Sequence, residues 1–225
     1  DTPDDLFCNN WVSTHENGAK ILYPMLAENR RKERRLDLIA LLDKTYKTVL
    51  DLSSFERNGQ FLESTGSLVL DRVHKIAYAA LSPRTDEKLV QKFAETLKYE
   101  AVTFRTKGEI YHTNVMMALG TGFAAICLEC VDPADREKVQ RSLTKHHEIV
   151  ELTETQLSSF CGNMIELQNV NGEKLVLMSS TAYGALTAQQ KTTLLDHAAR
   201  IVHAPIPTIE RHGGGSARCM VLELF

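Results

Sequence analysis

The sequence predicts an α/β propeller of five units, the last incomplete, on three observations. A pattern of short apolar strand, turn, second apolar strand, loop, amphipathic helix and closing strand recurs along all 225 residues. The copies begin about 50 residues apart, the spacing of a repeat architecture. A unit of a few strands and one helix cannot bury its own apolar face, so the copies must stack around an axis.

The first copy spans about 10–52, with strands near Trp11–Thr14 and Lys20–Met25 and a helix across Arg30 to Tyr46. The second spans about 66–104: Ser67–Leu70, Lys75–Leu81, then a helix from Asp86 to Leu97. In the third, about 114–152, the strands are Asn114–Leu119 and Ala124–Glu129, and Pro133 opens the helix, a position that tolerates a missing N–H. The fourth, about 163–209, has strands Met164–Leu167 and Lys174–Ser179 and a helix capped by Thr187. A partial fifth copy, 217–225, begins at Ala217 as a strand with Cys219 at its mouth. Residues 1–225 are expected to form a single catalytic domain. The chain begins with Asp1 rather than Met, and an absent N-terminal part is the expected donor of the unfinished unit.

Composition excludes several classes. A net charge of −3 argues against nucleic acid as a partner, because binding phosphates needs a surplus of Lys and Arg. No apolar run reaches the roughly 18 residues of a membrane span. Five cysteines, an odd number at low density, suggest a reducing, cytoplasmic setting. Cys127 and Cys130 form a C-x-x-C on an apolar stretch with no second pair, which reads as buried strand rather than metal site. Neither metal nor cofactor is expected.

The basic run Arg30 to Arg35 alternates with Glu33 and reads as a solvated helix face with one inward Arg. His146 and His147, beside Lys145, are expected to be solvated. Gly120-Thr121-Gly122 links two strands and is a hairpin turn rather than a phosphate cradle.

If the first strands point toward one axis, a nucleophile, a base, a carboxylate and amides converge there: Cys219, His112, Glu63, Asn10, Asn114 and Asn163. Three glycines, Gly213 to Gly215, let backbone close on something small ahead of Cys219.

Five segments in this order resemble the guanidino-group-modifying enzymes of the pentein fold: Asp4 to Asn10, Leu62 to Gly66, Ser82-Pro83-Arg84-Thr85, His112-Thr113-Asn114, and the glycine run ending at Cys219. Within that superfamily the likeness is to the amidinotransferase-like group that holds bacterial citrulline hydrolases. The resemblance implies Cys219 as nucleophile, His112 as acid and base, and Glu63 as the carboxylate that orients the His. It implies Arg84, Arg30 and more loosely Arg211 as substrate-side arginines, with Asp4, Asn10 and Asn114 also binding substrate.

Two departures bear on the substrate. Asn stands at positions 10 and 114, where arginine deiminases carry Asp. A neutral ureido group needs a donor for its oxygen, which Asn has and a carboxylate lacks. The expectation is therefore a thiol-dependent hydrolase taking citrulline to ornithine, carbon dioxide and ammonia through a covalent Cys intermediate. The thiol would have to ionise below its free value of about 8.5. An arginine deiminase or amidinotransferase is the alternative, and a non-catalytic binding protein on the same fold the second alternative. The partner is a small amino acid; a homo-oligomer is compatible with the chain, and its oligomeric state stays open.

Overall fold

Residues 2–225 are described by a computed structural model. The strands assort into four three-stranded sheets of one topology. The first sheet contains β1 (Val12–Thr14), β2 (Ala19–Leu22) and β3 (Lys47–Asp51); the second contains β4 (Val69–Asp71), β5 (Ile76–Ala80) and β6 (Glu100–Phe104). The third contains β7 (Met117–Leu119), β8 (Phe123–Ile126) and β9 (Glu148–Glu151); the fourth contains β10 (Ile165–Gln168), β11 (Lys174–Ser179) and β12 (Arg200–Ala204). In each, the first two strands form an antiparallel hairpin and the third returns parallel to the second. A parallel return requires a crossover. Helices Leu36–Leu42, Glu87–Leu97, Pro133–Leu143 and Ala188–His197 supply it.

Local chemistry sets the helix starts. Asp86 accepts the backbone N–H groups of Lys88 and Leu89, and Asp132 accepts that of Ala134 with Pro133 in the first turn. Thr187 and Gln190 form a capping box. On the second helix Leu89, Val90, Phe93 and Ala94 are buried, one stripe at helical spacing.

The units depend on one another for burial. The helix Glu87–Leu97 touches β3 of the preceding sheet as well as its own β6, and Ala188–His197 touches both β9 and β12. Each of these helices thus fills the gap between consecutive sheets. One core runs unbroken from Val69 to Ala198 across three sheets, and a second joins the first sheet to the next through Ile21, Tyr23, Leu52 and Phe93.

The structure departs from the sequence reading in four places. The expected helix from Arg30 to Tyr46 is a 3-10 turn, Arg30–Glu33, followed by the shorter Leu36–Leu42. Three arginines rather than one cause the break. Arg30, Arg31 and Arg34 donate to the carbonyls of Phe7, Met25, Leu26 and Tyr23 and pair with Glu33 and Glu56, pinning the segment to neighbouring chain. The expected strand at Ala217 is a 3-10 turn, Ala217–Met220, followed by a tail without strand pairing. That tail packs Leu222 against the cluster of Trp11, Val12, Leu22 and Met25, while Thr14 donates to the Glu223 carbonyl at 2.8 Å and Tyr46 to that of Phe225. No fifth sheet forms among the described residues. His147 is buried, because the chain turns inward after Leu143 toward β9, while His146 stacks on His74 at 3.6 Å.

The fourth departure concerns where the candidate residues sit. They lie in tight turns ahead of the strands: Cys8–Asn10, Ser64–Ser67 just after Glu63, Thr113–Val115 just after His112, the bend at Asn163, and Ala217–Met220. Hydrogen bonds join these turns one to the next. Thr65 donates to the Asn9 carbonyl, Thr113 to that of Ser67, Asn163 to that of Asn114, and the Arg218 N–H to Asn163 Oδ1. The Cys8 thiol meets the Met220 carbonyl at 3.5 Å.

Two glycines separate backbone contact from open surface. A Cβ on Gly162 would lie 2.4 Å from the Val115 carbonyl oxygen, which cannot move aside, whereas one on Gly184 meets nothing within 4 Å. Gly162→Ala is expected to lower the unfolding free energy in urea by about 2 kcal/mol. Gly184→Ala, in the helix Ser180–Ala185, should leave it unchanged or raise it by up to about 1 kcal/mol.

Candidate active site

Glu63 is fully buried, and its side chain is the hub of the site. Its Oε1 accepts the Leu26 N–H at 2.9 Å; its Oε2 accepts from His112 Nε2 at 2.7 Å and Arg84 Nη1 at 3.0 Å. The turn that presents it is strained: Ser64 has φ 41°, in the left-handed region, and its hydroxyl is tied to the Val12 carbonyl at 2.8 Å. Gly66 follows because a Cβ there would lie 2.4 Å from Asn10 Nδ2 and 2.8 Å from the His112 ring, so only glycine lets the two converge.

Burial would raise the Glu63 carboxyl, yet the hydrogen bond and charge of His112, then Arg84 and the Leu26 N–H, hold it down at about 2. Burial lowers the His112 imidazole, and the Glu63 carboxylate opposes that without reversing it. The resting pair is thus a carboxylate accepting Nε2–H from a neutral imidazole, which leaves Nδ1 as the ring nitrogen for proton exchange.

Cys219 is buried in its turn. Asn163 Nδ2 approaches its sulfur at 3.2 Å and Asn114 Nδ2 at 3.7 Å. Asn163 is held there by bonds to the Asn114 carbonyl and the Arg218 N–H at 2.9 and 3.1 Å. The glycine run serves this closeness: Cβ atoms on Gly213 and Gly215 would lie 2.5 and 3.0 Å from the Phe7 ring, and one on Gly215 3.3 Å from Cys219 Cβ. Gly214, at φ 67°, ends the helix Pro207–Gly213 in the left-handed conformation that glycine adopts without strain.

A cavity of about 260 Å³ has Cys219 and His112 on its walls, with Asp4, Asn10, Arg30 and Arg84 around them. Six of the ten residues singled out from sequence therefore line one space. Arg30 spends most of its donors within the protein: it donates to both Glu33 oxygens, to Asn10 Oδ1 at 2.8 Å and to the Phe7 carbonyl at 2.9 Å. Asn10 is thereby turned so that its Oδ1 is occupied and its Nδ2 lies 3.4 Å from the Glu63 carbonyl. Glu63 stands behind His112 rather than on the wall. Asn114 is not on that wall either; it borders a smaller cavity on the other side, with Arg72, Arg218 and Glu223. Arg211 is exposed and lines no part of the site, because it projects from the helix Pro207–Gly213.

Tyr111 was not singled out from sequence, although it adjoins His112. Its hydroxyl donates to the Gly214 carbonyl, its ring lies under the Arg84 guanidinium at 5.6 Å, and burial, then the nearby Cys219, push its phenol up to about 12. Asn163 was placed among the converging amides, but its contact with sulfur has no local signal; only its position in the repeat matches Asn10 and Asn114.

Comparison with known proteins bears on the fold and the family. Among solved structures, the chain is similar to the arginine dihydrolase ArgZ from the cyanobacterial ornithine-ammonia cycle: TM-score 0.77 at 18% identity, over 98% of this chain and 33% of that one. Against the N-terminal domain of ArgZ as its C264S variant with substrate bound, the TM-score is 0.77 at 20% identity, over 98% of this chain and 76% of that domain. A dimethylarginine dimethylaminohydrolase adduct with 4-chloro-2-hydroxymethylpyridine gives 0.69 at 16% identity, over 99% of this chain and 79% of that one. At these identities the likeness shows the pentein fold, and the chain spans about a third of full-length ArgZ. Among curated protein sequences none matches. The family model for eukaryotic N,N dimethylarginine dimethylhydrolase, in contrast, matches residues 1–225, and with that full-length match the chain belongs to this family.

Proposed function

We propose that the protein hydrolyses a guanidino carbon–nitrogen bond of an arginine-type amino acid, with ω-N-methylated arginine as its substrate. The observation that carries this reading is a sulfur and an imidazole on the walls of one small cavity, the imidazole fixed from behind by Glu63 at 2.7 Å. A binding protein would gain nothing from burying that carboxylate against a His and an Arg.

In the proposed reaction the Cys219 thiolate, stabilised by the N–H groups of Asn163 and Asn114, attacks the guanidino carbon. His112 Nδ1 takes up the thiol proton as the thiolate forms; the carbon–nitrogen bond to the methylated amine then breaks as His112 passes that proton to the amine, leaving the carbon bonded to sulfur. Water then gives its proton to His112 and adds to that carbon; the carbon–sulfur bond breaks, and the ureido product leaves with the thiolate restored. Arg84 spends one nitrogen on Glu63 and keeps donors for the substrate carboxylate, a task its planar fork suits. Asp4, on the cavity wall, would meet the α-ammonium.

Citrulline hydrolysis is a second reading, favoured by the Asn10 amide on the cavity wall. With its Oδ1 bonded to Arg30, Asn10 offers Nδ2, a donor that suits a ureido oxygen. Its weakness is Asn114, which stands behind the sulfur and would not meet the substrate.

Incubation of the full protein with N,N-dimethylarginine is expected to yield citrulline and dimethylamine in equal amounts. Ornithine and ammonia formed from citrulline, with dimethylarginine untouched, would replace this reading by the second. Cys219→Ser should cut turnover by about 1000-fold or more without changing the melting temperature.

The Glu63 pair also fixes two pH dependences. Because its folded pKa is depressed from 4.5 to about 2, Glu63 contributes stability that is complete above about pH 4.5 and disappears as pH falls toward 2. Glu63→Gln, which leaves His112 and Arg84 unpaired, should cost about 3 kcal/mol at neutral pH, a difference from the parent that shrinks below pH 4.5. In the parent, the acid limb of kcat/KM should fall below the ordinary imidazole value, since burial depresses His112. Removing the Glu63 charge should move that limb further toward acid.

A further inference from the structure

Away from the active-site cavity, Asp71, His74 and His147 bring a carboxylate oxygen and two ring nitrogens within 4.8 Å of one another. We propose that these three side chains form a binding site for a divalent transition-metal ion of the Zn²⁺ type, which ties the second unit to the third. The site stands independently of the reaction proposed above.

The donor set and spacing fit such an ion. Two imidazoles and one carboxylate are ligands that Zn²⁺ accepts, at about 2.0–2.1 Å each, which at tetrahedral angles puts donors about 3.3 Å apart. Asp71 Oδ2 lies 2.8 Å from His74 Nδ1 and 3.5 Å from His147 Nε2, on either side of that spacing. The carboxylate is oriented in advance, because its other oxygen accepts the His74 backbone N–H at 2.9 Å. A cavity of about 190 Å³ borders Asp71, His74 and His147, leaving room for a water as fourth ligand.

The second observation is His147 itself. Its side chain is only 4% exposed, yet its Nδ1 has no hydrogen-bond partner and its Nε2 is aimed at the Asp71 carboxylate at a distance too long for a good hydrogen bond. A buried Nε2 left with so long a contact is costly unless something else occupies the gap, and an ion there would ligate it; Nδ1, across the ring, takes no part in the site. His146, stacked on His74 with planes 11° apart, restricts the remaining ring.

Asp71 ends β4 and His74 lies in the turn before β5, whereas His147 precedes β9. An ion held by all three would cross-link a hairpin of one sheet to the start of a strand in the next. Binding only to the folded state would raise its stability by mass action.

The test uses the full chain as Cys219→Ser, so that the active-site thiol does not compete for metal. Zn²⁺ titrated calorimetrically into the metal-free protein is expected to bind at one equivalent and raise the melting temperature. His74→Ala and His147→Asn, each in the same background, should weaken binding at least tenfold and lose the thermal shift. His74 is exposed, so its variant reads binding without the risk to folding carried by the buried His147. Absence of stoichiometric Zn²⁺ binding in the Cys219→Ser protein, or equal affinity in the His74→Ala variant, would overturn the site.

Discussion

Everything at the centre of this molecule depends on polar side chains in tight turns that have been taken out of water and must find partners in the next turn. Asn10, Glu63, His112, Asn114 and Asn163 are all almost completely buried. A buried polar group without a partner costs as much as several apolar contacts contribute. Each of these side chains bonds to a neighbouring turn or element, as when Asn163 spans the Asn114 carbonyl and the Arg218 N–H, while Asn114 Oδ1 and the neighbouring Asn9 side chain stay unpaired among the described residues. The satisfaction of one turn thus fixes the position of the next, and the sulfur and imidazole are located by that mutual constraint.

The same constraint explains the glycines and the strain. Close approach of turns leaves no space for Cβ at Gly66, Gly162, Gly213 or Gly215, and Ser64 is forced to positive φ. Such strain persists only where surrounding contacts over-determine the backbone. Here the Ser64 hydroxyl, bonded to the Val12 carbonyl, and the adjacent Glu63 hub supply those contacts.

Electrostatics then divides the labour. Glu63 is anionic because His112, Arg84 and a backbone N–H all face it. Arg30, although on the cavity wall, gives its donors to Glu33, Asn10 and carbonyls, so it shapes the wall more than it offers free charge. The arginine with donors to spare is Arg84, 28% exposed and held by one nitrogen. Two arginines that look alike in the sequence therefore differ in what they can give a ligand.

The sequence by itself determined the repeated unit, its three complete helices and most of the polar residues that line the cavity, because apolar periodicity, capping residues such as Asp86 and Thr187, and glycine runs are local signals. It also carried the family's motifs, which located Cys219, His112 and Glu63. What tertiary structure decided was which side of the sulfur each amide occupies, that Arg211 faces solvent, that His147 is buried beside Asp71, and that the segment after Ala217 pairs as no strand. These outcomes depend on contacts between residues 50 to more than 200 positions apart, such as Cys8 with Met220 and Asn163 with Cys219. No window of the chain contains both partners, so no local pattern could encode them.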